Sequence, residues 1–181
     1  MSALTLNSEF VLLTSYFLPD NQQMTVLRFF MLLSLVVWLG GITFFAFVLA
    51  PTVFSVLPTR ELAGSVVNRS LPILHWMGLI SGIIFLGTSM GYSAVSTGST
   101  HAFAPRHVLV VVMLALTLIS MYAISSRMAV LRAEMGVIDN VPHDNPRRIE
   151  FNRLHQWSTR LEGSVYFIGL VVLYLTVRQL K

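Results

Sequence analysis

The sequence predicts an all-α fold: an integral membrane four-helix bundle with a short N-terminal interfacial helix. Three observations carry that expectation. The 181 residues are 55% hydrophobic and only 11% charged, whereas soluble domains hold about 25% charged residues. A soluble globule of ~150 residues still exposes about a third of its chain, too much to hide this apolar excess. Four windows reach the roughly 20 apolar residues that a spanning helix needs, and none shows the strand-like alternation of a barrel. Composition therefore excludes a soluble enzyme, a disordered chain and a nucleic-acid-binding domain.

The elements follow in order. The run Phe10 to Leu18 is too short to span and lacks a basic stretch before it. It reads as an interfacial or packing helix rather than a signal peptide. Pro19, Asp20 and Asn21 break the chain before the first span, 25–50, which Pro51 is expected to end. The second span is 71–92, with Pro72 tolerated in its first turn. The third is 107–129 and the fourth 161–177, the latter with an amphipathic lead-in from Arg148. Connections are expected at 52–70, at 93–106 with Gly98, His101 and Pro105, and in a polar cytoplasmic loop over about 130–160. Lipid offers no water to backbone groups, so each span must be helical.

Charge gives orientation. Four spans put both termini on one side. Arg28, Arg106, Arg178 and Lys181 lie on that side. Arg60, Arg69, Arg127, Arg132, Arg147, Arg148, Arg153 and Arg160 lie on the other. The positive-inside rule places the larger set in the cytoplasm and both termini outside. The expected location is a bacterial cytoplasmic membrane, and the net charge of +4 reads as an orientation signal. The chain has no cysteine. That excludes disulfides, thiolate-held clusters, C-x-x-C-H haem attachment and a cysteine nucleophile.

Few motifs invite chemistry. Gly87-Thr88-Ser89-Met90-Gly91 matches G-x-S-x-G, but a nucleophile elbow needs a strand-to-helix turn above a sheet. Here it falls late in a spanning helix. Gly78 and Gly82, then Gly87 and Gly91, are each four apart, the spacing that lets helices approach closely. Arg28, near a membrane edge, reads as a snorkelling anchor. Tyr92, Trp76 and Trp157 sit at span ends as interfacial aromatics do.

Three histidines lie in or at the edges of spans: His75, His107 and His155. His155, Ser158, Glu162, Tyr166 and Gly169 recur at three or four residues and share one helix face. A polar and small stripe of this kind should face protein. His75, Gly78, Gly82 and Ser89 form a similar face, and packing the two would bring His75 towards His155 and Glu162. Three readings stand open. The group is an interhelical hydrogen-bond cluster, a tetrapyrrole or metal site using imidazole, or a proton pathway around Glu162.

Two stretches resemble a known family. One is Trp38-Leu39-Gly40-Gly41, with Ala50-Pro51, Phe54, Leu57-Pro58 and Ala63-Gly64. The other is Phe151-x-x-Leu154-His155-x-x-Ser158-x-x-Leu161-Glu162, followed by Gly169-Leu170. Together they resemble the transmembrane-protein-205-like family of small four-span membrane proteins, whose bacterial members form a domain of unknown function. The resemblance implies the fold and the membrane, and it implies no reaction. It also marks a departure, because the family pattern has Asn where this chain has Glu162.

The expected function is non-enzymatic: an accessory or structural subunit of a membrane complex or homo-oligomer, bound to lipid and to no nucleic acid. The alternatives are a tetrapyrrole- or metal-binding membrane protein using His75, His107 or His155, and a small proton-linked transporter using Glu162.

Overall fold

The computed structural model describes residues 20–98 and 103–179. The expected interfacial helix at 10–18 and His101 lie outside the described residues. The elements are α1 (Asp20–Phe44), a π segment (Phe45–Leu49), α2 (Ala50–Val56), α3 (Arg60–Thr97), α4 (Pro105–Leu118), a second π segment (Ile119–Ser125), α5 (Ser126–Met135), a 3-10 turn (Ile138–Asn140) and α6 (Pro146–Gln179). No strand occurs among the described residues. The pieces join into four rods, each long and apolar enough to cross a membrane, so the chain is an all-α, multi-pass membrane bundle.

The rods hold 36, 38, 31 and 34 residues. At 1.5 Å per residue they run roughly 46–57 Å, against about 30 Å of hydrocarbon. They therefore extend well past the apolar windows. The first rod does not end at Pro51. Proline cannot donate to the residue four back, and its ring crowds that carbonyl. The π segment just before it takes up the mismatch: the Ala50 N–H donates to the Phe45 carbonyl, five residues back. Pro72 lies well inside α3 rather than in its first turn, because α3 already begins at Arg60. The connection expected at 52–70 shrinks to 57–59. Most of 130–160 is helical too, leaving 136–145 to join the third rod to the fourth.

Local chemistry sets these ends. The Thr59 hydroxyl caps α3 by accepting from the Leu62 N–H at 3.2 Å, with Glu61 in the first turn. Gly98, at φ 68°, closes α3 in the left-handed region where a Cβ is disfavoured. Pro105 opens α4 where its missing N–H has no role. The Asn145 Oδ1 accepts from the Arg147 N–H at the start of α6.

Consecutive rods are antiparallel. Arg28, early in the first, meets Tyr92, late in the second, and Glu134, late in the third, pairs with Arg147, early in the fourth. α1 packs most extensively on α3, and α4 on α6. The core takes Met31, Leu35, Trp38 and Ile42 from one face of α1. It adds Leu74 and Phe85 from α3, Val110 and Met113 from α4, and Val165 and Val172 from α6. Large apolar side chains also cover the outside, among them Phe29, Val36, Phe47, Ile83, Phe167 and Tyr174. An apolar exterior around a closed core is what lipid requires and water penalises.

The glycines of α3 divide. A Cβ at Gly78 would stand 2.5 Å from the Trp38 Nε1, and one at Gly82 2.6 Å from a Leu114 methyl and 2.9 Å from the Trp38 ring. Gly91 is buried as well. Gly87 meets nothing within 4 Å. Gly78→Ala should therefore cost about 1–3 kcal/mol, because the buried Trp38 ring has no room to yield. Gly87→Ala should be neutral or up to about 1 kcal/mol stabilising. Thermal unfolding of both variants in detergent checks the contrast.

Candidate functional site: a histidine–carboxylate pair between helices

One polar contact joins three rods inside the bundle. His75 of α3 places Nε2 2.7 Å from Glu162 Oε1 of α6. The Ser120 hydroxyl donates to the same oxygen at 3.2 Å. His75 and Ser120 are 2% and 0% exposed, while the Glu162 side chain retains 18% exposure. The pair is therefore closed on the imidazole side and reachable on the carboxylate side.

Sequence position explains how this arises. Ser120 lies in the π segment of the third rod. The extra residue in a π turn re-aims side chains relative to a regular helix, and such turns recur at functional sites. Gly78, one turn beyond His75, lets the Trp38 indole close over α3 from the first rod. The contact lies near the base-rich end of the apolar zone. Arg69 is six residues before His75, Arg160 two before Glu162, and Arg127 seven after Ser120.

A 2.7 Å contact between a ring nitrogen and a carboxylate oxygen requires a proton between them. The proton resides on the imidazole or on the carboxyl. His75 Nδ1 is buried without a hydrogen-bond partner, so the ring has no second anchor. Burial of such a group is costly unless it is satisfied, which leaves the whole fixation of this ring to Glu162.

The other expected site residues fall elsewhere. Ser158 is buried on the α6 core face with Val165, Gly169 and Val172. His155 is exposed, two turns from Glu162 along the same helix. It lines a shallow surface recess with Gln156, Thr159 and Arg160. The structure thus brings His75 to Glu162 and leaves His155 outside.

His107 belongs to a second polar cluster, at the opposite end of the bundle. Ser89, its partner, is 14 residues along α3 from His75, which is about 21 Å of helix. The Ser89 hydroxyl lies 2.8 Å from His107 Nε2, and Arg106 Nε donates to the same nitrogen at 3.3 Å. Since guanidinium only donates, Nε2 is the acceptor. Arg106 Nη2 donates to the Ser93 hydroxyl at 2.9 Å. Arg28 turns inward rather than snorkelling: Nη2 donates to the Tyr92 hydroxyl at 3.0 Å, and the guanidinium lies 5.3 Å from that ring's centre. Sequence reasoning read Arg106 only as an orientation charge and did not single out Ser120. The serines spaced along α3 at 89 and 93 were the available signal for the first of these.

No three metal-capable side chains gather among the described residues. The base-rich end is held by ordinary surface chemistry. Arg127 makes a bidentate pair with Glu150, and Arg132 lies over the Phe151 ring.

Comparison with known proteins matches a family model. Residues 33–136 fit the family model described as a domain of unknown function, DUF4149. The matched range includes the Trp38-to-Gly64 motif, His75 and Ser120, and stops before Glu162. No curated protein and no solved structure matches.

Proposed function

The chain belongs to the DUF4149 family of membrane domains of unknown function, and from that premise we propose that it is a small, non-enzymatic, proton-linked transporter whose working element is the His75–Glu162 pair. The observation that carries this reading is the 2.7 Å link between a buried imidazole and a carboxylate that keeps partial exposure, on different rods. An ionisable group within a membrane span is costly, and proton and ion routes are among the roles that retain one. Here protonation state and helix contact are the same event. With a proton shared between the two groups, α3, the second π segment and α6 are tied together. With Glu162 protonated and turned to solvent, His75 and Ser120 lose their common acceptor.

Two features favour this over the other expected roles. A metal held by several imidazoles, or a tetrapyrrole held by two, needs rings that converge, and His75, His107 and His155 lie at three separate places. An accessory-subunit role through the glycine face needs that face to be vacant, and at Gly78 and Gly82 Trp38 and Leu114 of the same chain fill it. Four spans are few for a carrier, so the proposal includes a homo-oligomer. It places the protein in a bacterial cytoplasmic membrane with both termini outside, on the count of arginines and lysines at the two ends. The Glu162 side then opens towards the cytoplasm. The motifs around Trp38 and His155 support a place beside the transmembrane-protein-205-like proteins.

Proteoliposomes with an internal pH-sensitive dye test the reading. Wild-type protein is expected to dissipate an imposed pH gradient faster than empty liposomes. Glu162→Gln should fall to the empty-liposome rate, and His155→Ala should keep the wild-type rate. Equal rates for Glu162→Gln and wild type would remove the proposal.

A further inference from the structure

We propose that the terminus-side end of the bundle is a phosphate-binding site built on Arg28 and Arg106. Both guanidiniums keep their charge at any working pH. Arg106 is 3% exposed and Arg28 is half-buried. Neither has a carboxylate partner among the described residues; the carboxylates there that meet a basic side chain are Glu162 with His75, Glu150 with Arg127 and Glu134 with Arg147. Their hydrogen bonds go instead to neutral groups: Tyr92, Ser93 and the ring of His107. Two donors are left over inside the protein. Arg106 Nη1 and Arg28 Nε are buried and have no acceptor.

A buried charge without a counter-charge is strongly disfavoured. The contrast within the molecule is plain, because the exposed Arg127 and Arg147 at the other end are the ones that hold carboxylates. Tyr92 and Ser93 are adjacent on α3, so the two guanidiniums reach the same level of that helix from α1 and α4. Arg106 is also the second residue of α4, where the helix terminus adds positive potential. Two forked donors with spare N–H groups match the oxygens of a phosphate, which accepts several charge-assisted bonds at once. The site lies within two to three turns of the start of the first rod and in the first turn of the third. Lipid headgroups are expected near that end of the apolar windows, so the phosphate is supplied by an anionic lipid or by the surrounding solution.

The test uses purified full-length protein in a phosphate-free maltoside detergent, titrated with phosphatidylglycerol and separately with inorganic phosphate. Binding is read by native mass spectrometry and thermal unfolding. Wild type is expected to retain phosphatidylglycerol, and Arg106→Gln and Arg28→Gln to weaken it about tenfold each. Arg178→Gln, an exposed charge at the same end, should leave it unchanged. Arg28-dependent binding of inorganic phosphate as well would support the site and identify the free anion as an occupant. If Arg106→Gln does not fold, Arg28→Gln alone decides. Binding of neither ligand, or binding unaffected by both substitutions, overturns the proposal.

Discussion

Replacing Glu162 by alanine is expected to destabilise the protein by about 3–5 kcal/mol, because it leaves two buried polar groups, His75 Nε2 and the Ser120 hydroxyl, without their partner at about 1–3 kcal/mol each. The reason lies in the partner rather than in the glutamate. His75 is 2% exposed, its Nδ1 already lacks a partner, and Glu162 is the partner that satisfies Nε2. Alanine would leave both ring nitrogens buried and unsatisfied, and would take the acceptor from Ser120 as well. Glu162→Gln should cost only about 1 kcal/mol, because the carboxamide keeps the shape and can still bond the ring. Unfolding of both variants in detergent separates the two. Similar losses for alanine and glutamine would show that the carboxylate charge, and not the hydrogen bond, holds the rods together.

Replacing Phe85 by alanine should also cost about 3–5 kcal/mol. Phe85 is completely buried and belongs to the cluster to which all four spanning rods contribute. Its neighbours in that cluster are rods locked by interdigitated side chains, so the vacated space would not collapse. Ile83→Ala, two residues away on the lipid face and 66% exposed, should lie within about 1 kcal/mol of wild type, since in lipid its burial changes little. The same unfolding measurement compares the pair.

The sequence made the four spans plain, because apolar length is a direct demand of the bilayer. The true helix lengths were not legible in the same way. Hydropathy reports only the part of a rod inside the hydrocarbon, and the ends of α3 and α6 carry Arg60, Arg69, Arg148 and Arg153, which a helix tolerates once it leaves the lipid. Pro51 read as a stop because a regular α-helix has no place for it. A π turn relieves the clash, and no composition signal announces one. The His75–Glu162 contact was foreseeable from helical spacing, since two polar and small faces in an apolar chain have only each other to meet. His155 shares the Glu162 face, but it lies two turns down and is exposed there, where Phe151 and Ser158 are the residues that α6 buries. Arg28 and Arg106 were the least legible. One charge near a membrane edge looks like an anchor, and only tertiary packing turns two of them inward beside Tyr92 and Ser93.

The central claim is that Glu162 takes up and releases a proton in its link with His75. Infrared difference spectroscopy across a pH step, on protein in lipid, observes that carboxyl directly. The expected result is a protonated-carboxyl band that grows as pH falls in wild type, keeps its size in His155→Ala, and loses one component in Glu162→Gln, the other seven side-chain carboxyls contributing alike in all three. A wild-type spectrum with no such band, or one that Glu162→Gln leaves unchanged, would contradict the account.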